Sequence, residues 1–262
     1  MRIAVCLKQV PASGSFLRVN EAGTWIRDSE ISFEVNEPDI YALEEALRLK
    51  ETLGEPGSEV LVCTLGPARA QQAIKEALAK GADRALHFDD PAFTGLDAYG
   101  TARLLAAALL REKPDVVMTG LQSDDLGFGQ TGVILAELLG FPHATIIMEI
   151  QASGRTLKVK RELEAGWFQW IDLPMPAVLT IQSGINRPRY ATLKGIMAAK
   201  SKPLQKVKLA DLGLSAAEIT PKQKVVRIYA PQKRSAAEFL EGSPVEVAKR
   251  LVDKLRNEAR VL

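Results

Sequence analysis

Short apolar runs rich in β-branched residues alternate with Ala/Leu-rich amphipathic stretches through the first two thirds of the chain. That alternation predicts an α/β fold built on a mostly parallel sheet. Residues 2–7 read as a first buried strand. Residues 39–53 read as a helix opening on an acidic turn. Leu43, Ala46, Leu47 and Leu49 or Leu53 recur near helical spacing, with Glu44, Glu45 and Arg48 on the wet side. Residues 58–64 give the next strand, and 67–80 a helix ended by Gly81 as a left-handed cap. A third strand follows over 82–88, then a helix around 96–111, the turn Lys113-Pro114-Asp115 and a strand over 116–120. Residues 120–132, GLQSDDLGFGQTG, interrupt all periodicity before a helix over 133–140 capped by Gly140 and a strand over 143–152.

From about 144 to 183 the pattern changes to alternating or short β runs, which suggests an antiparallel addition to the parallel sheet. Beyond Gly184 the chain turns irregular and basic over 186–208, with Arg187, Arg189, Lys194, Lys200, Lys202, Lys206 and Lys208. This stretch reads as an extended arm outside the main core. Ser243, Pro244 and Glu246 then signal the start of a C-terminal helix. The expected division is a Rossmann-like α/β domain over 1–184 and an arm plus terminal helix over 185–262. No internal repeat interrupts this order.

Composition narrows the chemistry. With 262 residues, 47% hydrophobic and 25% charged, the chain is an ordinary globular one, which excludes disordered, collagen-like and disulfide-scaffold classes. Its 34 Lys+Arg against 32 Asp+Glu leave +2, no global drive toward nucleic acid or anionic membrane. Cys6 and Cys63 each lie in an apolar run, which points to buried strand thiols in a reducing compartment. The apolar run before Lys8 is too short for a signal peptide and no later stretch reaches membrane-spanning length, so a cytoplasmic chain is expected. His87 and His143 stand alone, and no GxSxG, SxxK, HExxH or Cys-His pattern appears. Nothing supports a catalytic or metal constellation.

The loop at 120–131 sits between a strand and a helix, where open α/β sheets bind ligands. Gly120, Gly127 and Gly129 free the backbone, and Ser123, Gln130 and Thr131 offer hydroxyl and amide partners beside a helix N-terminus whose dipole suits phosphate. Neither GxGxxG nor a Walker lysine is present, so an ordinary turn is equally open. Asp124 and Asp125 repel phosphate unless a metal, a ribose hydroxyl or backbone donors engage them, and they serve equally well as helix caps. Asn36, between the strand-like FEV and a helix, is either a cap or a contributor to the same crevice. Trp167, Phe168 and Trp170 form an aromatic cluster that reads as a core or partner contact.

Together these segments match one pattern. Lys8-Gln9-Val10-Pro11, NEPDIYALEEALRLKE, LGPARAQQAIKEALAKGADRALHF, the QSDD and QTG loop with LAELLGFPHAT, and INRPRYATLKGIMAAKSKP resemble, in order and spacing, the β subunit of electron transfer flavoprotein. VKRELEAGWFQWIDLPMPAVLT resembles the family's signature hairpin, departing from it at Ala165, and the loop departs at Ser123-Asp124-Asp125-Leu126-Gly127. The resemblance implies an electron carrier subunit rather than an enzyme, paired with an α subunit that holds most of the FAD. It passes electrons from dehydrogenases to a membrane quinone reductase or another acceptor. It also implies a structural AMP bound at Cys6, Asn36, Leu65 and the loop residues Gly120, Gln122, Ser123, Asp124, Asp125, Gly127, Gly129, Gln130 and Thr131. Glu162 matches the glutamate that pairs with an arginine of the partner's flavin domain, and Leu193 the leucine of the recognition loop that anchors dehydrogenases. Two alternatives stay open: a bifurcating relative with its own FAD in place of AMP, and a stand-alone adenine-nucleotide module of the universal-stress type. The long arm after Gly184 argues against the second.

Overall fold

A computed structural model describes residues 1–231 and 237–262. Its first half runs β1 (Arg2–Cys6), β2 (Gln9–Pro11), β3 (Phe33–Val35), α1 (Glu37–Leu53), β4 (Glu59–Leu65), α2 (Gln71–Lys80), β5 (Arg84–Phe88), α3 (Ala98–Glu112) and β6 (Val116–Gly120). The second runs α4 (Thr131–Leu139), β7 (His143–Ser153), β8 (Thr156–Glu162), β9 (Phe168–Pro174), β10 (Ala177–Ile181), α5 (Leu193–Ala199), β11 (Leu204–Val207), α6 (Leu209–Leu212) and α7 (Pro244–Asn257).

Nine strands form one sheet in the order β11-β5-β4-β1-β6-β10-β7-β8-β9, and β2 and β3 make a separate antiparallel pair. Strands β11 through β7 are mutually parallel, and β8 and β9 add antiparallel to β7. Strand alternation divides the core between two faces. Ile3, Val5, Val60 and Val62 meet Ala46, Leu47, Ile74 and Leu78 of α1 and α2 on one face. Ala4, Cys6, Leu61 and Cys63 meet Leu104, Leu105 and Leu135 of α3 and α4 on the other. Because helices cover both faces, the central strands carry nearly unbroken apolar runs. From β1 the chain moves outward to β4 and β5, then returns through α3 to β6 on the opposite side of β1. The strand order therefore reverses around β1, and a crevice opens at the carboxyl ends of β1, β4 and β6.

The expected mostly parallel sheet with an antiparallel addition is present, but the addition is smaller than the alternation over 144–183 implied. Strand β10 is parallel to both β6 and β7 and lies between them, and all five of its residues are buried. A continuous apolar strand of this kind belongs inside a parallel sheet, not on a half-wet hairpin. The stretch 186–208 is also more ordered than expected. It contains α5 and the edge strand β11, which pairs with β5. Its basic residues are partly used internally: Arg189 bonds Glu44 and Glu51 of α1, and Lys202 Nζ donates to the carbonyls of Leu78 and Ala82 at the end of α2. By compactness the chain parts into Met1–Arg18 with Ile26–Val226, and Val19–Trp25 with Arg227–Leu262. The boundary expected at residue 184 falls inside the first of these units. In the second unit, α7 begins with the expected capping box, Ser243 Oγ meeting the Glu246 amide and Glu246 meeting the Ser243 amide.

Candidate functional site

A cavity of about 230 Å³ occupies the crevice where the strand order reverses. Its floor includes Cys6 and Cys63, which stand opposite each other on β1 and β4. Both thiols are free and buried, and burial pushes Cys63 up to about 12 and Cys6 well above its usual range. They are therefore neutral packing groups and not nucleophiles. Two helix N-termini form the walls: Leu96 to Thr101 at the start of α3, and Gly129 to Gly132 at the start of α4. Asp97 caps α3 by accepting from the Gly100 amide, whereas the Gln130 side chain does not cap α4. The positive end of α4 consequently faces the cavity, an arrangement suited to an anion. Gly132 permits the close approach of α4 to the sheet, since a Cβ there meets Thr180 Cγ2 at 2.6 Å and Thr119 Oγ1 at 2.7 Å.

The aperiodic loop is tied down by Lys8, two residues past β1, and by Asn36 and the Glu37 amide where α1 begins. Asn36 Nδ2 donates to the Gln122 carbonyl at 2.9 Å, and its Oδ1 accepts from the Asp124 amide at 2.9 Å. Asp124 in turn accepts from the Glu37 amide, and Asp125 pairs with Lys8 Nζ at 2.6 Å. Burial opposes the charge of Asp125, yet Lys8, Ser123 and the Leu126 amide overcome it and hold its carboxyl below the usual range. Gly127 and Gly129 take left-handed conformations, φ +65° and +60°, that let the loop turn back into α4. Beneath the loop, buried Asp39 accepts from the amides of Lys8 at 2.7 Å and Gly120 at 2.8 Å, joining α1 to the segment after β1 and to the end of β6. Burial raises its carboxyl to about 7 against the pull of those donors, Asn36 and Lys8.

Of the residues singled out in the sequence, Cys6, Asn36, Leu65, Gly120, Gln122, Ser123, Gly129, Gln130 and Thr131 line the cavity. Asp124, Asp125 and Gly127 are not among its lining; the two carboxylates brace the loop against α1 and Lys8 instead of capping α4. Sequence reasoning missed Lys8, Asp39, Cys63 and the α3 turn at Leu96 to Thr101. For Asp39 a signal existed, an aspartate in the first turn of a helix that follows a strand. Asp97 carried only the signature of a cap. Among the described residues, no group of three or more His, Cys, Asp and Glu is placed to hold a metal ion.

Comparison with known proteins decides the family. The family model for the electron transfer flavoprotein domain matches residues 24–212. The chain belongs to the electron transfer flavoprotein family, among its β subunits. It is 39% identical to the electron transfer flavoprotein subunit beta of Methylophilus methylotrophus over 96% of this chain and 97% of the relative. The human subunit beta is 35% identical over 100% and 99%. The caffeyl-CoA reductase-Etf complex subunit CarD of Acetobacterium woodii is 36% identical over 98% and 99%. Membership makes electron transfer the function, a flavin the associated cofactor and an α subunit the partner. No helix of the described residues is long and apolar enough to cross a membrane.

In this β subunit the two positions expected to meet other chains are both reachable. Glu162 closes β8, half-buried opposite Phe168, and accepts from Gln182 Nε2 at 3.1 Å. Leu193 is the first residue of α5 and is 78% exposed, beside exposed Ile196 and Met197 one turn on. Trp167, Phe168 and Trp170 are exposed rather than core, and Lys160 and Lys158 of neighbouring β8 lie over Phe168 and Trp170 at 4.2 and 5.3 Å.

Proposed function

We propose that this electron transfer flavoprotein β subunit holds one AMP in the cavity at the end of β1, β4 and β6 and works with an α subunit that carries the FAD. On this reading the pair takes electrons from dehydrogenases that dock at Leu193 and passes them to a quinone reductase or another acceptor, and Glu162 meets an arginine of the partner's flavin domain. The observation that carries the nucleotide assignment is the pairing of a small cavity with the uncapped start of α4. About 230 Å³ is at the small end for organic-ligand sites, and one mononucleotide asks less of it than a whole dinucleotide. The α4 amides suit its single phosphate, and the apolar floor at Cys6 and Cys63 suits a base or ribose face. AMP bound here has no redox chemistry and serves to fill and brace the crevice.

The deciding experiment is purification of the chain with its α partner, followed by denaturing extraction and mass analysis. Flavin together with AMP supports the proposal. A complex without flavin overturns the carrier assignment. A second FAD in place of AMP assigns the cavity to the bifurcating type.

A further inference from the structure

The α3 turn that walls the cavity also holds a distant part of the chain. Asp97 spends one carboxylate oxygen on the Gly100 amide at 2.8 Å and the other on the amides of Lys222 at 2.6 Å and Gln223 at 2.9 Å. Burial works against its charge, but the amides of Gly100, Lys222, Gln223 and Tyr99 outweigh it and hold its carboxyl below the usual range. The segment before those amides lies along the same helix. Ile219 is buried against the core, Glu218 pairs with Arg103 of α3 at 3.0 Å, and the Ile219 carbonyl leaves no room for a Cβ at Gly100. Lys222 Nζ also sits 5.3 Å from the Tyr99 ring. The first compact unit ends at Val226, directly after this strap.

We propose that Asp97 couples the cavity to the strap at residues 216–223, so that a nucleotide in the cavity fastens the chain where the first unit ends. The coupling rests on the nucleotide reading above. A ligand touching Leu96, Asp97 and Thr101 orders the first turn of α3, and an ordered turn presents Asp97 to both amides at once. By linkage the effect is reciprocal: a fastened strap raises nucleotide affinity by the factor through which the nucleotide protects the strap. Asp97 is thus a positioning residue for the C-terminal segment as well as part of the cavity wall.

The test uses the full chain stripped of nucleotide and compared with and without AMP. Amide exchange at Lys222 and Gln223, and tryptic cleavage after Lys222 and Lys224, report strap opening. With AMP about a hundredfold above its Kd, both slow by up to about a hundredfold if opening and binding exclude each other. Two variants outside the cavity lining, Ile219→Ala and Gln223→Pro, loosen the strap and are expected to weaken AMP binding about fivefold or more. Binding of AMP with unchanged exchange and cleavage overturns the coupling and leaves the nucleotide assignment standing. Unaltered AMP affinity in both variants overturns it as well. No AMP binding by the native chain overturns both.

Discussion

At Asp39 a carboxylate sits under the loop of residues 120–131 with burial raising it from 3.8 to about 7. Between those values the folded chain keeps a proton that the unfolded chain has released, so this group adds stability as pH falls from about 7 toward 4 and loses it above 7. Carboxylates held low by partners, such as Glu59 beside Arg84 and Asp115 beside the Arg2 amide and Arg155, act in the opposite sense and only at lower pH. Denaturation at pH 5 and pH 8 therefore isolates Asp39. The native chain should be the more stable at pH 5 by an Asp39 contribution on the order of a few kcal/mol. Asp39→Asn should lose that difference, and an unchanged pH dependence would refute the assignment. Gly132 offers a second probe, because its missing Cβ is what lets α4 approach Thr119 and Thr180. Gly132→Ala should cost about 1–3 kcal/mol through overpacking and speed nucleotide loss, measured by thermal melts and by release of bound AMP.

At the scale of elements, α5 is a short helix placed on α2 and held by the Arg189 pairs to Glu44 and Glu51. That anchoring leaves Leu193, Ile196 and Met197 outward. Burying Leu193 in a partner contributes about 1.5–3 kcal/mol. Leu193→Ala should slow electron transfer from a cognate dehydrogenase by about tenfold to a hundredfold, since each 1.4 kcal/mol is tenfold in affinity, with flavin content and heterodimer intact. Loss of the heterodimer would show that Leu193 packs the subunits together instead. Arg189→Ala leaves Glu44 buried without its cation and should raise amide exchange through α5, a change read by hydrogen exchange of that helix. The helices and central strands were legible in the chain because their apolar periodicity is set by burial within each element. Strand β10 was misread because five buried residues look alike in a hairpin or inside a parallel sheet, and only its neighbours decide. The arm was misread because Arg189 and Lys202 are basic in sequence whatever they bond. At the cavity, loop glycines and Asn36 were visible as breaks in periodicity. Asp39 left a faint trace as a first-turn aspartate after a strand, but Lys8 and Cys63 did not, since a strand-end lysine and a strand cysteine carry no pattern until the sheet brings β1, β4 and β6 together.

For the molecule as a whole, the cavity is lined from within the first compact unit, while the flavin chemistry of the family calls for a second chain. Produced without its partner, the chain should come off purification colourless yet still release AMP on denaturation; a yellow single chain would show that it holds flavin by itself. The same division of labour bears on the exposed aromatic hairpin. Trp167 is 72% exposed, with Phe168 and Trp170 beside it on an edge strand whose outer backbone has no neighbour in the sheet. In the second unit, α7 buries none of its residues and shows Val245, Leu251 and Val252 to solvent. Surfaces of this kind serve as interaction sites or, left uncovered, favour aggregation. Made in excess of a covering partner, the chain should therefore self-associate through the hairpin and the terminal helix, which light scattering of the isolated chain would reveal; a monodisperse single chain would refute this.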